Sequence, residues 1–240
     1  APDGAKLSKR KHGPVVSVTT YRDAGFLSHA YINFLCLLGW NPKDNREQMS
    51  REELIAAFSF DGINRANATV NFSDADPIDP KAMWLNSQHL RTMPVAELTP
   101  LVRAELERAG IAIPPDEARF AATVDLIRSR YLTLLDFPEK GRAYFADDFP
   151  MHPDALARLD APGARELCRE LSKRLGELPE FTEASVEAAL RALCDERGVK
   201  AGVLINASRA ALTGQAVGPS AFALFLAIGR ERAIARLAQV

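Results

Sequence analysis

Phe120-Ala121-Ala122-Thr123-Val124-Asp125-Leu126-Ile127-Arg128-Ser129-Arg130-Tyr131 is the stretch that decides the fold class. Its apolar stripe, Phe120, Val124, Ile127 and Tyr131, recurs at spacings of 4, 3 and 4. That period follows the turn of an α-helix and not the alternation of a strand. A helix over about 115–131 is expected, led by the stiff Pro114-Pro115 connector and followed by Leu134 and Leu135. On a wheel advancing roughly 100° per residue, Arg128 and Arg130 fall on opposite flanks of the stripe.

The same reading extends in both directions. Toward the C-terminus, Pro138 interrupts and another helical turn or two leads to Phe145. Asp147-Asp148-Phe149-Pro150 reads as a linker. Helices are then expected over about 162–177, from the Thr182 cap to near Gly198, over about 200–212, from Pro219 with Phe222, Phe225 and Leu226, and over about 229–239. Gly214–Pro219 is a loop, and Phe222 and Phe225 are core residues.

Toward the N-terminus, Pro94 and Thr99-Pro100 are expected to start two helical pieces, the second ending at Gly110. Asp79-Pro80 is an N-cap with a proline at the first helical position, leading a helix with Met83, Trp84 and Leu85. Ser50-Arg51-Glu52-Glu53 is a capping box for a helix through Phe58. Residues 59–78 read as a loop anchored by Phe60, Ile63, Val70 and Phe72. Ser28 can cap a deeply buried helix through Leu38, with Gly39 at its end. Thr19–Gly25 reads as a short helix, and Trp40 and Trp84 as core. Only Val15-Val16-Ser17-Val18 suggests a strand or extended stretch. The fold class is therefore all-α.

Composition narrows the function. The chain has 240 residues, 25% charged, and a formal net charge of −1, so nucleic-acid contact must come from local patches. One patch is obvious: Lys6, Lys9, Arg10 and Lys11 lie within six residues, flanked by Gly4 and Gly13. Several cations beside the small hydroxyl of Ser8 suit triphosphate binding, because charge develops on a pyrophosphate leaving group. The bland reading of such a run is a solvated surface. Cys36, Cys168 and Cys194 are odd in number and widely spaced, which points to reduced core thiols in a cytosolic protein. The four histidines show no HxxxH or HExxH spacing, so no metal site is expected. No apolar run reaches the 18 or so residues of a membrane span, and no partner membrane is expected.

The order Lys6-Leu7-Ser8-Lys9-Arg10 resembles the KMSKS signature loop of class I aminoacyl-tRNA synthetases, in the KLSKR form typical of glutamyl-tRNA synthetases. Tyr21–Gly25, Asn33–Trp40, Trp84–Arg91, Arg128–Leu134, Arg209–Gly214 and Leu226–Arg232 resemble further blocks of that family, in the family's order. One departure is Lys11, which intervenes between Arg10 and the His12-Gly13 that usually follows directly.

The resemblance implies the C-terminal half of a glutamate–tRNA ligase, cut from a longer chain and lacking the HIGH motif and the catalytic nucleotide-binding fold. It implies a KMSKS loop and stem-contact region over 1–80, then an α-helical anticodon-binding cage of two sub-bundles over 81–148 and 149–240. Lys6, Ser8, Lys9 and Arg10 are the implied catalytic residues, with Lys9 binding ATP. Arg130 is implied to read the third anticodon base, which separates glutamate from glutamine codons. Arg191 and Arg209 match other anticodon arginines, and Gly218-Pro219 matches a segment at the first base. Gly218 stands where some relatives carry a hydroxyl residue.

The implied partner is tRNA(Glu). ATP with Mg2+, and glutamate, enter only with the missing catalytic domain, so this piece is expected to bind no cofactor alone and to be inactive alone. A cytoplasmic monomer is expected. A helical protein–protein adaptor, or another class I synthetase with a helical anticodon domain, remains the alternative.

Overall fold

The structure is a computed structural model that describes residues 1–73 and 75–240. Among the described residues every regular element is helical. The only β-type pairing there is an isolated antiparallel bridge between Trp40 and Ile63. The chain divides into two compact units, residues 1–105 with 128–137, and residues 106–127 with 138–240. This division does not coincide with the expected functional divisions after residues 80 and 148.

The first unit begins with α1 (Lys9–His12), α2 (Val18–Asp23), α3 (Ser28–Gly39) and α4 (Arg51–Ala57). A 3-10 turn (Phe60–Gly62), α5 (Pro80–Thr92) and most of α6 (Val95–Arg108) follow. Tyr21, Phe26, Phe34, Val70, Ile78 and Leu85 form one buried cluster, with the Tyr21 ring edge-on to Phe26 at 5.2 Å. Trp40, Met49 and Leu54 form a smaller one. The capping box is present: Ser50 Oγ accepts from Glu53 N at 3.1 Å, and Glu53 Oε2 accepts from Ser50 N at 2.7 Å. Asp79 caps α5, its Oδ1 accepting from Lys81 N at 2.7 Å.

Several local expectations are corrected here. Val15–Val18 is no strand: Val15 packs in the core, and α2 starts at Val18 after Ser17. β-branched residues favour a strand only where a neighbouring edge exists to pair with. Ser28 does not cap α3; Leu27 holds the cap position, and Asn86 takes its N–H. α3 is not buried all round, since Ile32 and Leu35 are exposed on the side away from α5 and α4. Trp84, Phe60 and Ile63 are exposed rather than core. Pro100 does not start a helix but lies inside α6, which begins with Glu97 N and Leu98 N donating to Pro94 O. Pro100 leaves the Ala96 carbonyl without its helical donor, and both residues are exposed, so water can supply one.

The second unit contains the body of α7 (Glu117–Arg128), then α8 (Asp136–Glu139) from Pro138 on, α9 (Arg142–Phe145), α10 (Pro153–Leu159), α11 (Ala164–Glu177), α12 (Glu183–Arg197), α13 (Ala201–Thr213), α14 (Ala221–Ile228) and α15 (Arg230–Gln239). The stripe that decided the fold holds for Phe120, Val124 and Ile127, all buried on α7; the helix stops short of the expected residue 131, and Tyr131, buried too, lies in the first unit. α10 is missing from the sequence-based expectation, although Pro153 at its first position is a start signal.

α11 packs against α15 and α13, and α12 against α14. Ser172 donates to the Ile234 carbonyl at 2.9 Å, and Arg230 Nη2 donates to the carbonyls of Gly176 and Leu178 at 2.9 and 2.7 Å, closing the last turn of α11. Arg174–Glu196 and Arg197–Glu170 bridge α11 and α12 at the surface. Exposed pairs contribute at most about 1 kcal/mol each, so the buried leucines hold this bundle. Phe225 is core as expected, while Phe222 is half-buried. All three cysteines are free thiols, and burial pushes Cys168 up to about 11.

Candidate nucleic-acid interface

The basic N-terminal stretch folds into a defined turn. Ser8 is the N-cap of α1: its Oγ accepts from Lys11 N at 3.3 Å, and its backbone N–H donates to His12 Nδ1 at 3.2 Å. An accepting Nδ1 puts the His12 proton on Nε2, an assignment made from the partner. The His12 ring meets Phe72 edge-on at 5.8 Å, and Leu7 packs against the buried cluster. Lys6, Lys9, Arg10 and Lys11 remain exposed. Anchored backbone and free cations suit an anionic ligand.

Arg130 is not on the flank of a helix. α7 ends at Arg128, and Arg130 sits exposed in the turn that follows. Asp136 explains the early end. Its Oδ2 accepts from Leu132 N at 2.7 Å and Thr133 N at 3.3 Å, drawing the backbone out of helical register. Arg128 is engaged, its Nη1 donating to the Met93 carbonyl. No hydrogen bond or ion pair holds the Arg130 guanidinium among the described residues. A free guanidinium at a turn can hydrogen-bond and stack on a splayed base.

In the second unit, the structure brings together Arg209, Gly218 and Pro219. Arg209 Nη1 donates to the Pro219 carbonyl at 2.7 Å, and a Cβ on Gly218 would stand 2.7 Å from that same nitrogen. A hydroxyl residue at 218 would therefore displace Arg209. Arg191 is exposed on α12 and pairs with Glu187 one turn away at 2.7 Å. Sequence reasoning passed over the base of the 214–219 loop. Gly214, at φ +67°, ends α13, and its carbonyl accepts from His152 N at 2.9 Å. Gln215 Nε2 donates to the Lys140 carbonyl at 2.8 Å. Asp147, read as linker, instead receives Arg232 and Arg236 from α15. Nothing local in Asp147-Asp148-Phe149-Pro150 signals that contact.

The second unit is thus a helical bundle with a loop, 214–219, whose ends are buried and whose exit is braced by Arg209. Residues 94–240 match the anticodon binding domain family, and residues 1–76 match the catalytic domain family of class I tRNA synthetases of the E and Q type. Relatives extend over the whole chain. It is 43% identical over 246 residues to the glutamate–tRNA ligase of Solibacter usitatus, covering 100% of this chain and 50% of the relative. It is 36% identical to that of Thermus thermophilus, covering 98% and 48%. The solved glutamate tRNA ligase of Elizabethkingia meningosepticum, in complex with its amino acid, superimposes with a TM-score of 0.80 at 25% identity, covering 98% of this chain and 48% of that one. The chain belongs to the glutamate–tRNA ligase family, and spans about half the length of the relatives it matches.

Proposed function

We propose that this chain is the tRNA-reading half of a glutamate–tRNA ligase, an enzyme that activates glutamate with ATP and transfers it to tRNA(Glu). The observation that carries this reading is the Arg209–Pro219 brace beside Gly218, inside the segment that matches the anticodon binding family. Arg209, Gly218 and Pro219 present a shaped loop to the first anticodon base, Arg191 adds a cation, and Arg130 reads the third base. Residues 1–80 carry the signature loop and stem contact, 81–148 and 149–240 the two helical sub-bundles, and the nucleotide-binding fold lies outside this chain.

Lys6, Lys9 and Arg10 are exposed and unpaired among the described residues, and so fit an ATP polyphosphate. In the full-length enzyme ATP arrives with Mg2+ and supplies the adenylyl group that activates glutamate, the bond to pyrophosphate breaking as the carboxylate attacks the α-phosphate. There Lys9, supported by Lys6 and Arg10, meets the charge that grows on pyrophosphate, and Ser8 keeps the turn in shape. Alone, this chain binds no cofactor. It works as a cytoplasmic monomer.

Filter binding of tRNA(Glu) to this chain across a salt series tests the reading. Affinity should fall linearly in a log–log plot as phosphate contacts release counterions. Salt-independent or absent binding overturns it. Charging of tRNA(Glu) and tRNA(Gln) by the full-length enzyme, wild type against Arg130→Gln, tests Arg130. Unchanged discrimination removes Arg130 from the site. ATP–pyrophosphate exchange by this chain alone would refute its inactivity.

A further inference from the structure

Arg236 lies on α15, is only 7% exposed, and uses all five of its N–H donors. Nη1 donates to the Ala143 carbonyl at 2.8 Å and to the Leu212 carbonyl. Nη2 donates to the Ala146 carbonyl at 2.7 Å and to Asp147 Oδ1 at 2.6 Å, and Nε donates to the same Oδ1 at 3.1 Å. The guanidinium carbon stands 4.5 Å from the centre of the Phe149 ring.

Two of these contacts lead to one place. Leu212 is in the last turn of α13, where carbonyls have no helical partner, so Arg236 fixes the direction in which the chain leaves that helix. The chain leaves through Gly214. A Cβ there would stand 2.2 Å from the Pro150 carbonyl oxygen and 3.1 Å from the Phe149 ring, so Gly214 lies directly against the segment that Arg236 stacks on. Arg236 thus grips the entry of the 214–219 loop from two sides, while Arg209 braces its exit.

Simple filling of the core does not explain this residue. A buried cation is costly unless completely partnered, and an apolar side chain of similar volume fills such a space at less cost. What Arg236 adds is direction, since a planar fork fixes several carbonyls at once.

We propose that Arg236 is a positioning residue for the 214–219 loop, acting through Leu212 and Phe149 to hold the loop in the form that meets the first anticodon base. The proposal rests on the anticodon reading above. Asp147 serves by orienting the guanidinium, and shares its Oδ1 with Arg232 at 3.1 Å.

The test uses this whole chain with Arg236→Met, Arg236→Lys and Phe149→Leu, the last leaving the Arg236 hydrogen bonds intact. Amide exchange is measured over 213–220 and over α11 without RNA. Affinity is measured for the anticodon stem-loop RNA of tRNA(Glu) and for the same RNA with its first anticodon base changed. Exchange in the loop should rise about tenfold in Arg236→Met while α11 is unmoved, and the ratio of the two affinities should fall several-fold. Arg236→Lys should restore little of either, and Phe149→Leu should show both effects more weakly. If Arg236→Met does not fold, Phe149→Leu decides by the same readouts. Uniform loosening of the second unit, or an unchanged affinity ratio in a wild type that discriminates, overturns the proposal. If wild type binds neither RNA, the anticodon reading fails, and the exchange data alone decide whether Arg236 positions the loop.

Discussion

Asn86 accepts the backbone N–H of Leu27 at 2.8 Å, and both residues are buried. The other end of the same amide donates to the Leu132 carbonyl at 2.6 Å, so one side chain joins the entry of α3 to the chain beyond α7 within the first unit. Asn86→Leu keeps the volume and strands both backbone groups. The first unit should lose about 2–6 kcal/mol, from two unsatisfied groups, one buried and one part-buried, at roughly 1–3 each. Urea unfolding, followed by exchange at Leu27, checks this. A loss below about 1 kcal/mol would mean that water replaces the amide.

His89 should make the first unit sensitive to mild acid. Its Nε2 donates to Asn33 Oδ1 at 3.0 Å. Burial holds its pKa below the usual value, the charge of His29 adds to that, and Glu53 opposes. The folded form therefore resists a proton that the unfolded chain accepts near pH 6.5, and stability should decline as pH falls below about 6.5 toward the lower folded value. In His89→Gln the stability of this unit should vary less between pH 7 and 5 in thermal melts, and an unchanged slope counts against the assignment.

Asp147 sets an acid limit for the second unit. Partial burial works against its charge, yet the hydrogen bond from Arg236 and the charge of Arg232 hold its carboxyl below the ordinary range. Its contribution is present above about pH 4 and is lost as pH falls through the folded value. Asp147→Asn should show a smaller further loss of stability between pH 4 and 2 than wild type, measured by circular dichroism.

Gly214 and Gly198 both end helices with positive φ, +67° and +63°, but in different surroundings. Nothing lies within 4 Å of a Cβ on Gly198, so Gly198→Ala should cost only left-handed strain, about 1 kcal/mol. Gly214→Ala adds a collision with Pro150 and should cost about 2–4 kcal/mol. Equal melting temperatures for the two variants would contradict the close approach.

The helices were largely legible in the sequence, because their signals are local. The Ser50 capping box and Asp79-Pro80 start α4 and α5 as expected, and Gly198 and Gly214 end α12 and α13. The exposed faces of Ile32, Leu35 and Trp84 were not legible, since periodicity shows that a face is apolar and not whether a neighbour covers it. Of the candidate site, the residue types were within reach, but not the contact of Arg209 with Pro219, which joins the middle of one helix to the loop that leads into the next. Nor was the turn that frees Arg130, because Asp136 ends α7 from beyond it in the chain.

The sequence by itself determined that this chain is helical, where most caps fall, and which family its ordered blocks resemble. Those properties depend on residues within a turn or two of each other. Only the tertiary structure decided that Arg130 stands free and that Asp147 is a hub. It alone showed that Arg236 grips Leu212 across 24 positions and Ala143 across 93. Arg236 shows the physical reason. A buried arginine is tolerable only where the fold delivers carbonyls to all of its donors, and no local pattern records which distant carbonyls those are.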